Sequence, residues 1–459
     1  MKILTLLFAL LMAQQPFDSG VVSGLRARNI GSATMSGRIS ALDARVEKDG
    51  LVTLYVGAAS GGVWKSSDGG TTFKPVFDRQ PVQSIGAVTI AGDTVWVGTG
   101  EPWTRNSVSL GNGIYKSTDG GDTWTHMGLP ESERITRILV DPRDPRKVFA
   151  AVPGKLWSDS PDRGLYRTAD GGQTWELVLP GSNLSTGCSA VTMDLSNPDV
   201  LFAGMWDFRR QGWTFRSGGE GPDAPSGSGL YRSADGGRTW SEVTGGGLPP
   251  GPWGRVEVEI APSNPNRVYC FVECQDSALY VSDDGGKTWD KRDKSHNMVW
   301  RPFYFANLIV DSVNADRVFK CNLALIVSED AGRSFANTMG GSHCDWHDLW
   351  INPTNPKHLI GGDDGGLWIS MDGGTRWWKG DNLPISQFYH VSVDDQDPYQ
   401  VYGGLQDNGS WLGDQAHPGG VTNDRWESVY WGDGFWVLVD PTHPDWMFAE
   451  SQGGYVAAV

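Results

Sequence analysis

The densest group of residues able to do chemistry is the run His343-Cys344-Asp345-Trp346-His347-Asp348. On an extended strand Asp345 and His347 share one side and Asp348 faces the other, an arrangement that suits a metal or a general acid–base pair. Further carboxylates stand in short loop-like strings: Glu101 two residues before Trp103, the pair Asp363-Asp364 ahead of two glycines, and Asp407 beside Gln406. Aromatic rings stack on sugar faces and two carboxyl groups can cleave a glycosidic bond, so Glu101, Asp363, Asp364 and Asp407 are the catalytic candidates of a glycan groove. Trp103, Arg105, Trp206, Arg209, Trp213 and Gln406 would bind the ligand beside them, and the same Trp and Arg set also suits a polypeptide. The five cysteines match no zinc spacing, and neither a metal nor a cofactor is expected. A disulfide between Cys274 and Cys321 is possible in an oxidising compartment.

These residues are positioned by a repeat. The string Ser-x-Asp-Gly-Gly-x-Thr-Trp recurs seven times, two copies degraded, with its aspartate at Asp68, Asp119, Asp170, Asp235, Asp284, Asp330 and Asp372. The period is about 50 residues, in the range of propeller blades. Within it come an alternating apolar stretch, a Pro turn such as Asp144-Pro145 or Asn355-Pro356, a second strand, a Gly-led third strand and the Asp-Gly-Gly turn. The closing aromatic is expected to open a fourth strand. Four short strands per period without a long 3.6-residue pattern predict an all-β chain of four-stranded propeller blades. The boxed aspartates read as fasteners, because Asp and Ser can satisfy the turn's own N–H groups while glycine supplies positive φ.

The boxes divide the chain. Residues 1–13 read as a signal peptide, with Lys2 ahead of an apolar run too short to span a bilayer, and 14–29 as a linker. Seven repeats over 30–385 make a first propeller; 386–459 holds two further blades, the second cut short, as the start of another. In such a ring, the innermost strands begin on the face where the loops between second and third strands emerge, and the box turns lie opposite. Aligning the innermost strands puts Arg137, Glu257, Asn307, Asp348 and His390 at one level of the channel.

The boxes and the Pro-turn pattern across 30–459 resemble the sortilin/Vps10 N-terminal class and large exported bacterial proteins of the BNR-repeat, glycosyl-hydrolase-like group. The runs Asp345 to Pro353, Gln387-Phe388-Tyr389-His390 and Gly403 to Trp411 carry the bacterial resemblance. It implies tandem propellers like those of xyloglucan-degrading glycoside hydrolases, where an Asp in an Asp-x-Gly-Gly string of the first blade is the base and the second propeller supplies the acid. Here that string is Ala59-Ser60-Gly61-Gly62, so the base position holds Ala. The leading expectation is therefore an exported binding protein that holds a glycan or polypeptide at the channel mouth. The alternative is a glycoside hydrolase with a relocated carboxylate pair. With 38 Lys and Arg against 54 Asp and Glu, a net charge of −16 argues against a nucleic-acid partner, and no later segment reads as a membrane span.

Overall fold

The computed structural model describes residues 29–31, 33–105, 108–219 and 225–459. The signal-peptide reading of 1–13 and nearly all of the 14–29 linker fall outside them. The described chain is all-β, in nine antiparallel sheets whose strands follow one another from inside to outside. Blade 1, for example, consists of Ile39–Val46, Val52–Ala58, Val63–Ser66 and Lys74–Pro75. The innermost strands of blades 2 to 9 are Ile85–Ala91, Arg137–Val140, Thr186–Met193, Val256–Ile260, Leu308–Val310, Trp346–Ile351, Phe388–Val393 and Gly434–Asp440. No helix among the described residues is long and apolar enough to cross a membrane. All five cysteines are free, so Cys274 and Cys321 are not bridged.

Blades pack face to face in chain order, and the seventh returns to the first. Ile39, Leu42, Leu54 and Val56 of blade 1 share one buried cluster with Ile360, Leu367 and Ile369 of blade 7. Across this seam the backbone N–H of Leu42 donates to Asp348 Oδ2 at 2.9 Å. Gly362 permits the approach: a Cβ there would lie 2.5 Å from the Ile39 side chain. The segment ahead of blade 1 straps onto blade 8, with Met35 buried against Leu405 and Trp426, and Trp426 Nε1 donating to Ile30 O at 2.9 Å.

Each Asp box is a closed hydrogen-bond unit. In the second, Ser117 Oγ donates to Asp119 Oδ1 and accepts from Gly121 N, both at 2.8 Å, while Asp119 Oδ1 accepts from Thr123 N at 2.9 Å. The Thr123 hydroxyl and backbone donors hold the Asp119 carboxyl down at about 2. Gly120 and Gly121 take φ of 73° and 94°, which L-residues avoid. The box aromatic lies just before the fourth strand instead of opening it, because its indole is engaged elsewhere: Trp124 Nε1 donates to Val76 O of the preceding blade at 2.7 Å.

The sixth box breaks the rule and is strained for it. Ala331 occupies the first glycine position at φ 61°. Left-handed backbone costs an L-residue roughly 1–2 kcal/mol, partly offset by the extra freedom glycine has when unfolded. Ala331→Gly is expected to stabilise the protein by about 0.5–1 kcal/mol, read from the denaturant midpoint at unchanged m-value.

Candidate functional site

One guanidinium organises the face on which the innermost strands begin. Arg38 immediately precedes the first strand of blade 1 and is buried. Its Nη1 lies 2.6 Å from Glu101 Oε1, its Nε 2.8 Å from Asp364 Oδ1 and its Nη2 3.7 Å from Asp407 Oδ2. Glu101 follows the second strand of blade 2 (Thr94–Thr99). Asp364 sits in the turn between Leu359–Asp363 and Gly366–Ser370 of blade 7, and Asp407 in the matching turn of blade 8, between Gln400–Leu405 and Gly409–Asp414. Propeller order thus gathers on one cation acids from blades far apart in sequence.

Asp364 is the most tightly held of these acids. It accepts Tyr304 Oη at 2.7 Å and His347 Nε2 at 2.6 Å in addition to Arg38. Burial alone would raise its pKa, but Arg38, His347 and Tyr304 together outweigh that and keep it well below the usual carboxylate range. Because ionised Asp364 can only accept, the imidazole carries its proton on Nε2. Burial lowers the pKa of that ring and so favours its neutral form. A bulge aims it: Trp346 pairs with Asp363 and Asp348 with Gly362, so His347 is the extra residue turned to the mouth. Trp103 stacks on this imidazole with ring centroids 5.3 Å apart and donates Nε1–H to Ser40 O at 3.0 Å.

Two acids lie on the rim. Carboxylate oxygens of Asp345, Asp364 and Asp407 all fall within 4.8 Å of one another. Asp345 stands at φ 68° just before the blade-7 strand, and its Oδ1 has no hydrogen-bond partner among the described residues. Burial and then Asp364 push Asp345 up to about 6. Burial, Asp364 and Asp433 push Asp407 up to about 8. Asp407 keeps a quarter of its side chain exposed, and Gln406 Nε2 donates to its Oδ2 at 2.8 Å. The spacing of this trio would admit a cation, but the Arg38 guanidinium already sits against Asp364 and Asp407, and no metal is assigned.

Several candidates sit differently from their expected places. Glu101 and Asp364 are buried ion-pair partners of Arg38 instead of free acids. Asp363 is fully buried, receives Gly365 N–H at 2.8 Å and is pushed by burial up to about 7. Trp103 and Trp206 are buried walls, 3% and 1% exposed, not open sugar platforms. Asp345 and His347 do not form a mutual pair; both meet at Asp364. Arg209 pairs with Asp159 on the outer loops, and Trp213, 97% exposed, tips the hairpin between Leu201–Gln211 and Thr214–Ser217. Neither belongs to the cluster around Arg38. Arg137, Asn307 and Asp348 do line a central cavity of about 270 Å³. Glu257 is buried and ion-paired with Arg137 at 3.7 Å and Arg255 at 3.4 Å, while His390 stacks on Trp436 of blade 9. Arg38 and Tyr304 carry no spacing signal; only the string Gly37-Arg38-Ile39-Ser40 opening the first strand could have drawn notice.

The BNR/Asp-box repeat family model matches residues 280–291. The chain is similar to a xyloglucanase of Hypocrea jecorina, 29% identical over 213 residues, covering 41% of this chain and 24% of that one. A Paenibacillus xyloglucanase is 25% identical over 239 residues, covering 43% and 20%. The chain thus matches only about a quarter of the length of these relatives. Among solved structures, the GH74 xyloglucanase from Xanthomonas campestris aligns over 93% of this chain and 86% of its own at 13% identity and a TM-score of 0.42. YCF48 bound to D1 peptide aligns over 75% and 98% at 14% identity and 0.47. These relatives overturn the leading expectation of a non-catalytic binding protein, since the curated matches are enzymes. They carry the glycoside-hydrolase side of the resemblance and not its sortilin side.

Proposed function

We propose that this protein is an exported glycoside hydrolase acting on a plant-type polysaccharide of the xyloglucan class, with Asp407 as general acid and Asp345 as the ionised partner. The carrying observation is the division of labour around Arg38. Glu101 and Asp364 are consumed in holding the guanidinium, whereas Asp345 and Asp407 remain on the rim with oxygens within 4.8 Å of Asp364 and of each other. Their environments pull them apart in acidity, so near neutrality Asp407 keeps its proton and Asp345 does not. Such a split assigns the acid and its partner. The xyloglucanase relatives supply the substrate class. Ala59, where the family resemblance would place a base, is buried with its N–H donating to Arg38 O at 3.1 Å, and we therefore assign the carboxylate pair to Asp345 and Asp407.

The domain division belongs to the same proposal: a first propeller over 30–385 and the opening blades of a second over 386–459. In support, Val391, Val393, Leu438, Trp446 and Tyr455 leave large apolar faces of blades 8 and 9 exposed, as sheets awaiting further blades would.

Release of reducing ends from xyloglucan by the purified protein tests the activity. The expected kcat/KM profile is a bell, rising as Asp345 ionises near pH 6 and falling as Asp407 loses its proton near pH 8. A flat profile, or an absence of cleavage on any β-glucan, refutes the assignment.

A further inference from the structure

Three guanidinium groups surround the ring of Tyr304. The central carbons of Arg301, Arg105 and Arg38 lie 5.2, 5.7 and 5.9 Å from its centroid. Tyr304 itself is rooted in the carboxylate cluster through its hydroxyl on Asp364. Arg38 is fully consumed by the acids below it. Arg105 and Arg301 are different: among the described residues neither makes an ion pair within 4 Å, although Arg301 from farther off pulls the Asp345 pKa down against burial. Arg301 is exposed and also stands over the Phe303 and Phe305 rings at 5.5 Å, while Arg105 is half-buried. A guanidinium laid against an aromatic face still has its in-plane N–H edge available, and that edge matches a carboxylate in a bidentate fork.

Among the described residues Arg105 and Arg301 thus bring two guanidinium groups with no carboxylate within 4 Å to one aromatic ring, in a chain of net charge −16. They cannot serve as a general polyanion patch, because the overall field repels one. Their place is local: both lie against the ring of Tyr304, whose hydroxyl donates to Asp364, and the carboxylate oxygens of Asp364 lie within 4.8 Å of those of Asp345 and Asp407. We infer that Arg105 and Arg301 clamp a carboxylate on the substrate, so that the preferred glycan carries a uronic acid residue next to the bond that is cleaved. This deepens the glycoside-hydrolase reading and rests on it.

The test is calorimetric binding of two matched probes: a xyloglucan oligosaccharide and the same oligosaccharide with its free glucose C6 positions oxidised to carboxylates. The protein is expected to bind the oxidised probe about tenfold or more tightly than the neutral one, with the preference shrinking as salt rises. The double variant Arg105→Ala/Arg301→Ala should bind the two probes with equal affinity, and Arg105→Lys/Arg301→Lys should keep part of the preference. Equal binding by the unaltered protein, or a preference that survives in the alanine variant, overturns the clamp. If the neutral probe is bound and cleaved without preference, the clamp alone falls. If neither probe is bound or cleaved, the hydrolase reading falls with it.

Discussion

Asp407→Asn is expected to lower kcat/KM on a polysaccharide by about 10²–10⁴-fold while leaving the protein as stable as before or slightly more so. The amide cannot deliver a proton to a departing sugar oxygen, so the loss falls on substrates with poor leaving groups. An aryl glycoside whose phenolate leaves unaided should lose far less. The alkaline limb of the pH profile should vanish, because the group that titrates near 8 is gone. Stability moves the other way for an electrostatic reason. A carboxyl with a raised folded pKa binds its proton more tightly folded than unfolded, so its contribution is present at low pH and lost as pH climbs from the ordinary carboxylate range to about 8. The amide removes the repulsion by Asp364 and Asp433 and can still receive Gln406 Nε2–H. Such an opposition of activity and stability marks a functional group held in a costly place. A variant that loses activity only in step with its melting temperature would make Asp407 structural.

The fold was legible because its signals are local. Ser, Asp, Gly and Thr act within a few residues of each other, and the box hydrogen bonds in the structure close on themselves in that way. The face of the site was legible too, since inner-strand starts and the turns after second strands must emerge together. What the pattern could not supply is which side chains meet across the mouth. Arg38 reaches Glu101 across 63 positions and Asp364 across 326, separations that leave no periodic trace. Alternation placed Asp345 and His347 as partners, but the blade-7 bulge inserts His347 as an extra residue and turns it onto Asp364. Composition marked Trp103 and Trp206 as sugar platforms; tryptophan in a loop says nothing of which way the loop folds, and both rings turn inward.

Arg38→Met is expected to destabilise the protein by roughly 3–5 kcal/mol at neutral pH, the usual cost of removing one partner from a buried ion pair. The loss comes less from the missing attraction than from the acids left behind. Glu101 and Asp364 are 3% exposed each, and without the guanidinium they must either stay charged in a poor dielectric or take up protons. Glu101 already shows the strain, since burial raises its pKa even against Arg38. Asp364 behaves oppositely: its folded pKa is depressed, so it contributes stability above the ordinary aspartate range that is lost as pH falls through that range and below. In the variant burial acts on Asp364 with less opposition, its pKa rises, and acid helps where it harmed. The gap between the two proteins should therefore narrow as pH drops from 7 towards 4, followed by urea denaturation at each pH. Adding Glu101→Gln and Asp364→Asn to Arg38→Met should recover much of the loss, because the buried charges go with their partner. If the triple variant is no more stable than Arg38→Met alone, the methionine is failing by packing, and the carboxylates on the rim are held in place by the blade turns instead of by this one cation.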